Sequence, residues 1–220
     1  ADTMQGYDAI NKMSLFHLEH GTTSILPSTW TSTLEHTMSA LKNIKDSNRV
    51  GNIFGIHLEG PFINPNKLGA QPDLSKEPSI KFMEEILNIA DVKTITLAPE
   101  LDGMESFIEY INSKKISIQF GHSLASSECC KKYMDKYNVS FTHLYNAMSG
   151  NDHRKPGVLS AALAYGNFAE IICDKLHVSP EAIKIAQKSI KKLYAVTDSV
   201  SVNGLKDGEY KLFNNDIVKK

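Results

Sequence analysis

The chain alternates between two hydrophobic periods, and that alternation restricts its fold more than any other feature. Short apolar runs occupy residues 22–27, 53–58, 94–98, 116–120, 139–142, 169–173 and 193–197. Stretches of approximately helical spacing occupy 7–20, 28–47, 79–90, 104–112, 126–137, 157–165 and 180–192. Strands that alternate with helices read as βαβ units, which build a parallel sheet with helices packed over it. The repeat suits a (β/α)8 barrel. The chain opens on a helix, so the expectation is a barrel fragment over residues 1–203 that lacks its first strand. From residue 204 the pattern changes. Asp207-Gly208 and Asn214-Asn215 are turn signals between short β-like pieces, the start of a further β layer over 204–220. A seven-strand open sheet is the structural alternative.

Composition narrows the class. With 220 residues, 41% of them hydrophobic, the chain can bury one sizeable core. The net charge of −1, without a basic block, argues against nucleic acid or a membrane surface as partner. No apolar run approaches the ~20 residues of a membrane span, and no signal peptide opens the chain. Cys129, Cys130 and Cys173 form neither a disulfide framework nor a C-x-x-C pair. A cytoplasmic setting is expected.

Chemistry collects where the strands end. Ile53, Phe54, Ile56 and Leu58 form a buried strand that Gly60-Pro61 stops. Side chains alternate along a strand, so His57 and Glu59 share a face. The following loop, 64–78, carries Pro65, Gly69, Pro72 and Pro78 and is longer than a plain connection needs. Later strands end at Gly121-His122-Ser123, at His143, at Asp174 with His177 just beyond, and at Asp198. A lone histidine at a strand end is usually satisfied by a structural hydrogen bond. Five imidazoles and carboxylates at one edge (Glu59, His122, His143, His177, Asp198) instead suit zinc or iron, with one acidic group left as general base.

Four motifs in order, His57-Leu-Glu-Gly-Pro-Phe62, Gly121-His-Ser123, Thr142-His-Leu-Tyr-Asn-Ala-Met148 and Thr197-Asp198, resemble the N-acetylglucosamine-6-phosphate deacetylase family of the amidohydrolase superfamily. The resemblance implies a metal-dependent (β/α)8 barrel beside a small β-sandwich, of which residues 204–220 would begin the C-terminal part. It makes Glu59, His122 and His143 metal ligands and Asp198 the acid/base. Asn146, the Ala147 backbone N–H and Arg154 would hold a phosphate, and His177 the sugar or a partner subunit's phosphate. It implies one or two divalent ions, a small amino-sugar phosphate as substrate, and a homodimer. Two positions depart from the family pattern within this chain. Gln71 stands where many members have a histidine near the substrate carbonyl, so the resemblance implies that it binds substrate there, and Lys175 stands where many have glycine. The His-x-His pair of the family's first strand lies on a strand this chain does not include.

The expected activity is therefore hydrolysis of N-acetylglucosamine 6-phosphate to glucosamine 6-phosphate and acetate in amino-sugar catabolism. The alternatives are another amide hydrolase, deaminase or dihydroorotase-like enzyme of the superfamily, or a fragment that binds metal or a partner without turnover. His17, His20, His36 and His153 read as surface or helix positions, and Cys129-Cys130 as structural. Arg154 has a second reading, a surface pair with Asp152.

Overall fold

A computed structural model of the chain describes residues 3–47, 51–212 and 215–219. After a short 3-10 turn come two helices, α1 (Tyr7–Glu19) and α2 (Leu34–Ser47). The alternation then runs β1 (Ile56–Glu59), α3 (Ile80–Leu87), β2 (Val92–Leu97), α4 (Met104–Ser113), β3 (Ser117–Phe120), α5 (Ser127–Met134), β4 (Val139–Phe141), α6 (Val158–Tyr165), β5 (Phe168–Ile172), α7 (Pro180–Ser189) and β6 (Lys192–Val196). A hairpin, β7 (Gly208–Leu212) and β8 (Asn215–Lys219), follows.

The parallel α/β expectation holds. Strands β1-β2-β3-β4 form one parallel sheet in sequence order, and β5 pairs in parallel with β6. The regular ladder breaks between β4 and β5, where the Leu144 N–H still donates to the Glu170 carbonyl at 2.8 Å. The tail hairpin is antiparallel, as its turn residues suggest, although the Asn214-Asn215 turn falls at position 214 outside the described residues.

Two boundaries differ from the sequence reading. The helix expected from residue 28 begins at Leu34, and the strand expected at 22–27 is reduced to bridges from Ile25 to Ile53 and Ser28 to His57. The cause is tertiary. Ile25, Pro27 and Thr29 exchange backbone hydrogen bonds with residues 52–57, so residues 25–29 lie in parallel beside β1 and cannot coil. Thr33 then opens α2, its Oγ1 accepting the His36 N–H. Serine caps fix three further helix starts, with Ser79, Ser126 and Ser179 each accepting an N–H from three residues on.

The two faces of the sheets differ. Toward the helices lies an apolar core that includes Phe62, Phe107, Phe120, Phe141, Ile95 and Leu97, with the Phe62 and Phe107 rings edge-to-face at 4.6 Å. The other face carries a row of polar side chains. His57 Nε2 lies 2.7 Å from Thr96 Oγ1, Thr96 Oγ1 2.6 Å from Thr142 Oγ1, and Thr142 Oγ1 3.2 Å from Gln119 Oε1. Gln119 Nε2 donates to Glu170 Oε1 at 2.9 Å, and the Tyr194 hydroxyl donates to the same oxygen at 3.1 Å. Gly121 lets β3 end inside this row, because a Cβ there would stand 2.9 Å from Thr142 Cβ and 3.0 Å from Thr96 Cγ2.

Candidate metal centre

Glu59, His122 and His143 project from the ends of β1, β3 and β4 and meet as a buried group. One potential ligand atom from each lies within 4.8 Å of the others. His122 Nε2 is 3.0 Å from Glu59 Oε1 and 3.0 Å from His143 Nε2, and His143 Nε2 is 3.6 Å from Glu59 Oε1. His122 Nδ1 lies 2.8 Å from the Lys67 carbonyl, which can only accept, so Nδ1 carries the proton in a neutral ring. Nε2 then presents a lone pair to a carboxylate oxygen. Such a meeting needs a cation, either shared protons or a metal ion. His143 Nδ1 has no hydrogen-bond partner among the described residues. The donor set therefore fits a divalent metal.

Backbone strain marks the same positions. His122 (φ 49°), His143 (φ 31°) and Asp198 (φ 44°) all leave their strands through the left-handed region. That costs a non-glycine residue about 1–2 kcal/mol each, which the surrounding packing must offset. Glu100, at the end of β2, braces the mouth by accepting from Asn64 Nδ2, Ser123 Oγ and the Leu124 N–H. The Asn64 N–H in turn donates to the His122 carbonyl at 2.9 Å. Sequence reasoning gave Glu100 no role. Its only signal was an acid at a strand end.

Without a metal, charge within the group settles on protons. Burial works against charge on Glu59, but hydrogen bonds and charge from His122 and His143 hold its carboxyl well below the usual range. Burial likewise works against the His143 imidazolium, yet the Glu59 carboxylate raises its pKa to about 9. A metal needs that imidazole neutral. Metal affinity should therefore climb with pH and flatten near 9, by about tenfold per unit between roughly pH 6 and 8, with a proton released on binding. Chelator-competition titrations at several pH values check this, and a flat profile would contradict the geometry.

The other expected site residues scatter more widely. Asp198 follows β6 and is exposed as a residue, but desolvation of its carboxyl, and then the Glu59 charge, raise its pKa. Gln71 is buried, with Nε2 donating to Glu59 Oε1 at 2.9 Å and Oε1 accepting the Thr31 N–H at 2.7 Å. Asn146 Nδ2 donates to the His143 carbonyl at 3.2 Å, and Ala147 has φ 48°. Arg154 is exposed. Asp152 accepts the backbone N–H groups of Arg154 and Lys155, each at 2.7 Å, which is a turn contact and not an ion pair with the guanidinium. His177 is exposed, its Nδ1 2.6 Å from Asp174 Oδ2. His57 stays outside the ligand group, held between Ser28 Oγ at 3.0 Å and Thr96 Oγ1.

No family model matches the chain. The chain is 38% identical over 226 aligned residues to an N-acetylglucosamine-6-phosphate deacetylase of Bacillus subtilis (strain 168), with 96% of this chain and 57% of the relative covered. Several of the curated relatives it matches bear that name. A Vibrio furnissii deacetylase of the same name is 31% identical, covering 94% of this chain and 54% of the relative. An N-acetylgalactosamine-6-phosphate deacetylase of Escherichia coli O157:H7 is 29% identical, covering 96% and 58%. Among solved structures, the deacetylase of Thermotoga maritima superposes with a TM-score of 0.86 at 30% identity, covering all of this chain and 61% of that one. A Mycobacterium smegmatis deacetylase mutant in complex with N-acetyl-D-glucosamine-6-phosphate gives 0.83 at 30% identity, covering 90% and 54%. The chain thus spans a little over half the length of these relatives. Among the described residues no helix is long and apolar enough to cross a membrane.

Proposed function

We propose that the protein hydrolyses the acetamide of N-acetylglucosamine 6-phosphate, releasing glucosamine 6-phosphate and acetate. The observation that carries this reading is the buried meeting of Glu59, His122 and His143 at the ends of three parallel strands. These three would hold zinc or iron, one ion or two. Such a cation lowers the pKa of a water toward ~7 and polarises an amide carbonyl. Asp198 would accept the water's proton and return it to the departing amine, which leaves poorly unless protonated. Its raised pKa suits a group that holds a proton for part of the cycle. Asn146, the Ala147 N–H and Arg154 would hold the phosphate, and His177 the sugar or a partner's phosphate in a homodimer. The same reading takes residues 1–203 as part of a (β/α)8 barrel and 204–220 as the start of a β-sandwich layer. The switch from parallel strands to the antiparallel β7–β8 hairpin supports that division. Three free cysteines fit a cytoplasmic setting.

The test is acetate release by the full chain from N-acetylglucosamine 6-phosphate, N-acetylgalactosamine 6-phosphate and unphosphorylated N-acetylglucosamine, with and without added zinc. The galactosamine epimer belongs in the panel because one relative bears that specificity in its name. No release from either phosphate ester would overturn the reading.

Arg154 gives a finer check. Its guanidinium is a planar fork that can take two phosphate oxygens at once. Arg154→Ala should raise KM for the phosphorylated substrate and leave slower hydrolysis of the unphosphorylated sugar almost unchanged. Equal loss on both would indicate structural damage, and no loss on either would remove Arg154 from the site.

A further inference from the structure

We propose that Gln71 is a positioning residue for the Glu59 carboxylate, fixing how its Oε1 faces His122 and His143, in place of the substrate contact that the sequence suggests. The proposal rests on the metal-site reading above and deepens it. Gln71 is buried, and both ends of its amide are engaged within the protein. The Thr31 N–H can only donate, so it must meet the amide oxygen. The Glu59 carboxylate can only accept, so it must meet the amide nitrogen. Flipping the amide would set donor against donor and acceptor against acceptor, so one orientation is enforced.

The contact falls on the oxygen that matters. Glu59 Oε1 takes the Gln71 N–H at 2.9 Å and is also the oxygen 3.0 Å from His122 Nε2 and 3.6 Å from His143 Nε2. Gln71 therefore shares that atom with the two imidazoles. Glutamine suits the place because it accepts at one end, donates at the other and does not titrate. The partner that anchors it is brought close by Gly60, whose φ of +74° and missing Cβ let Thr31 lie against the end of β1, where a side chain would collide with Thr31 Oγ1. Gln71 thus ties the segment that flanks β1 on one side to the carboxylate at the end of β1 itself.

The experiment measures zinc affinity of the metal-stripped full chain by chelator competition, for wild type, Gln71→Met and Gln71→Ala. Methionine keeps the length of the side chain and removes both hydrogen bonds; alanine removes them with the volume. Both variants should bind zinc about 10–100-fold more weakly, the usual effect of removing a partner that orients a ligand. At saturating zinc their KM for N-acetylglucosamine 6-phosphate should stay within about twofold of wild type, whereas a substrate contact would move KM and leave zinc affinity alone. Metal-free melting curves identify a variant that has merely lost its fold. Unshifted zinc affinity in a folded variant, with or without a raised KM, would overturn the proposal. A wild-type chain that takes up no zinc would instead overturn the metal reading on which it rests.

Discussion

In the Asp198→Asn variant, kcat for N-acetylglucosamine 6-phosphate is expected to fall by about 10²–10⁴-fold while bound metal stays at the wild-type level. Asp198 lies outside the three-residue ligand group, so its loss should not empty the site. Asparagine keeps the shape, and it tolerates the left-handed backbone (φ 44°) better than almost any other non-glycine residue. The substitution therefore removes the proton carrier and little else. Partial desolvation and the nearby Glu59 charge raise the Asp198 pKa, the direction required of a group that must pass a proton on. Metal analysis beside a steady-state assay checks the result. Near-normal kcat would mean that another group moves the proton.

The Glu59→Gln variant should lose most of its metal, with activity falling in parallel. A neutral amide is a much poorer ligand than a carboxylate. The Glu59 charge also counters burial and holds the His143 pKa near 9, so its removal eases the loss of the His143 proton and offsets only part of the lost affinity. What decides the outcome is that a bound cation would face no anion in the group. Metal per chain after dialysis settles the outcome, and wild-type content would remove Glu59 from the ligand set.

The cluster of Glu59, His122 and His143 was legible in the sequence because strand ends are. A run such as 116–120 followed by Gly-His-Ser states where a strand stops, and parallel strands stop at one edge. Which residues meet at that edge was carried by the family resemblance, and the convergence of Glu59, His122 and His143 agrees with it. Partners distant in sequence were not legible. Nothing near residue 28 warns that the next residues are held straight by β1, so the start of α2 was placed six residues early. Gln71 was read against a family histidine, while its binding partner Thr31 lies 40 positions away. The same holds for Glu100, which braces two loops through three donors that share no motif with it.

The polar row across the sheet has a direction. Gln119 gives its N–H to Glu170, so its oxygen must receive the Thr142 hydroxyl proton. Thr142 must then accept from Thr96, and Thr96 from His57 Nε2. His57 is left with its proton on Nε2 and a lone pair on Nδ1, which takes the Ser28 hydroxyl proton. Every dipole points the same way, toward a carboxylate on β5. Glu170 therefore selects the tautomer of a histidine four strands away, and with it keeps a proton off the nitrogen that stands 4.0 Å from Glu59 Oε2. The Glu59 carboxylate is spared a competitor by a residue that it never touches.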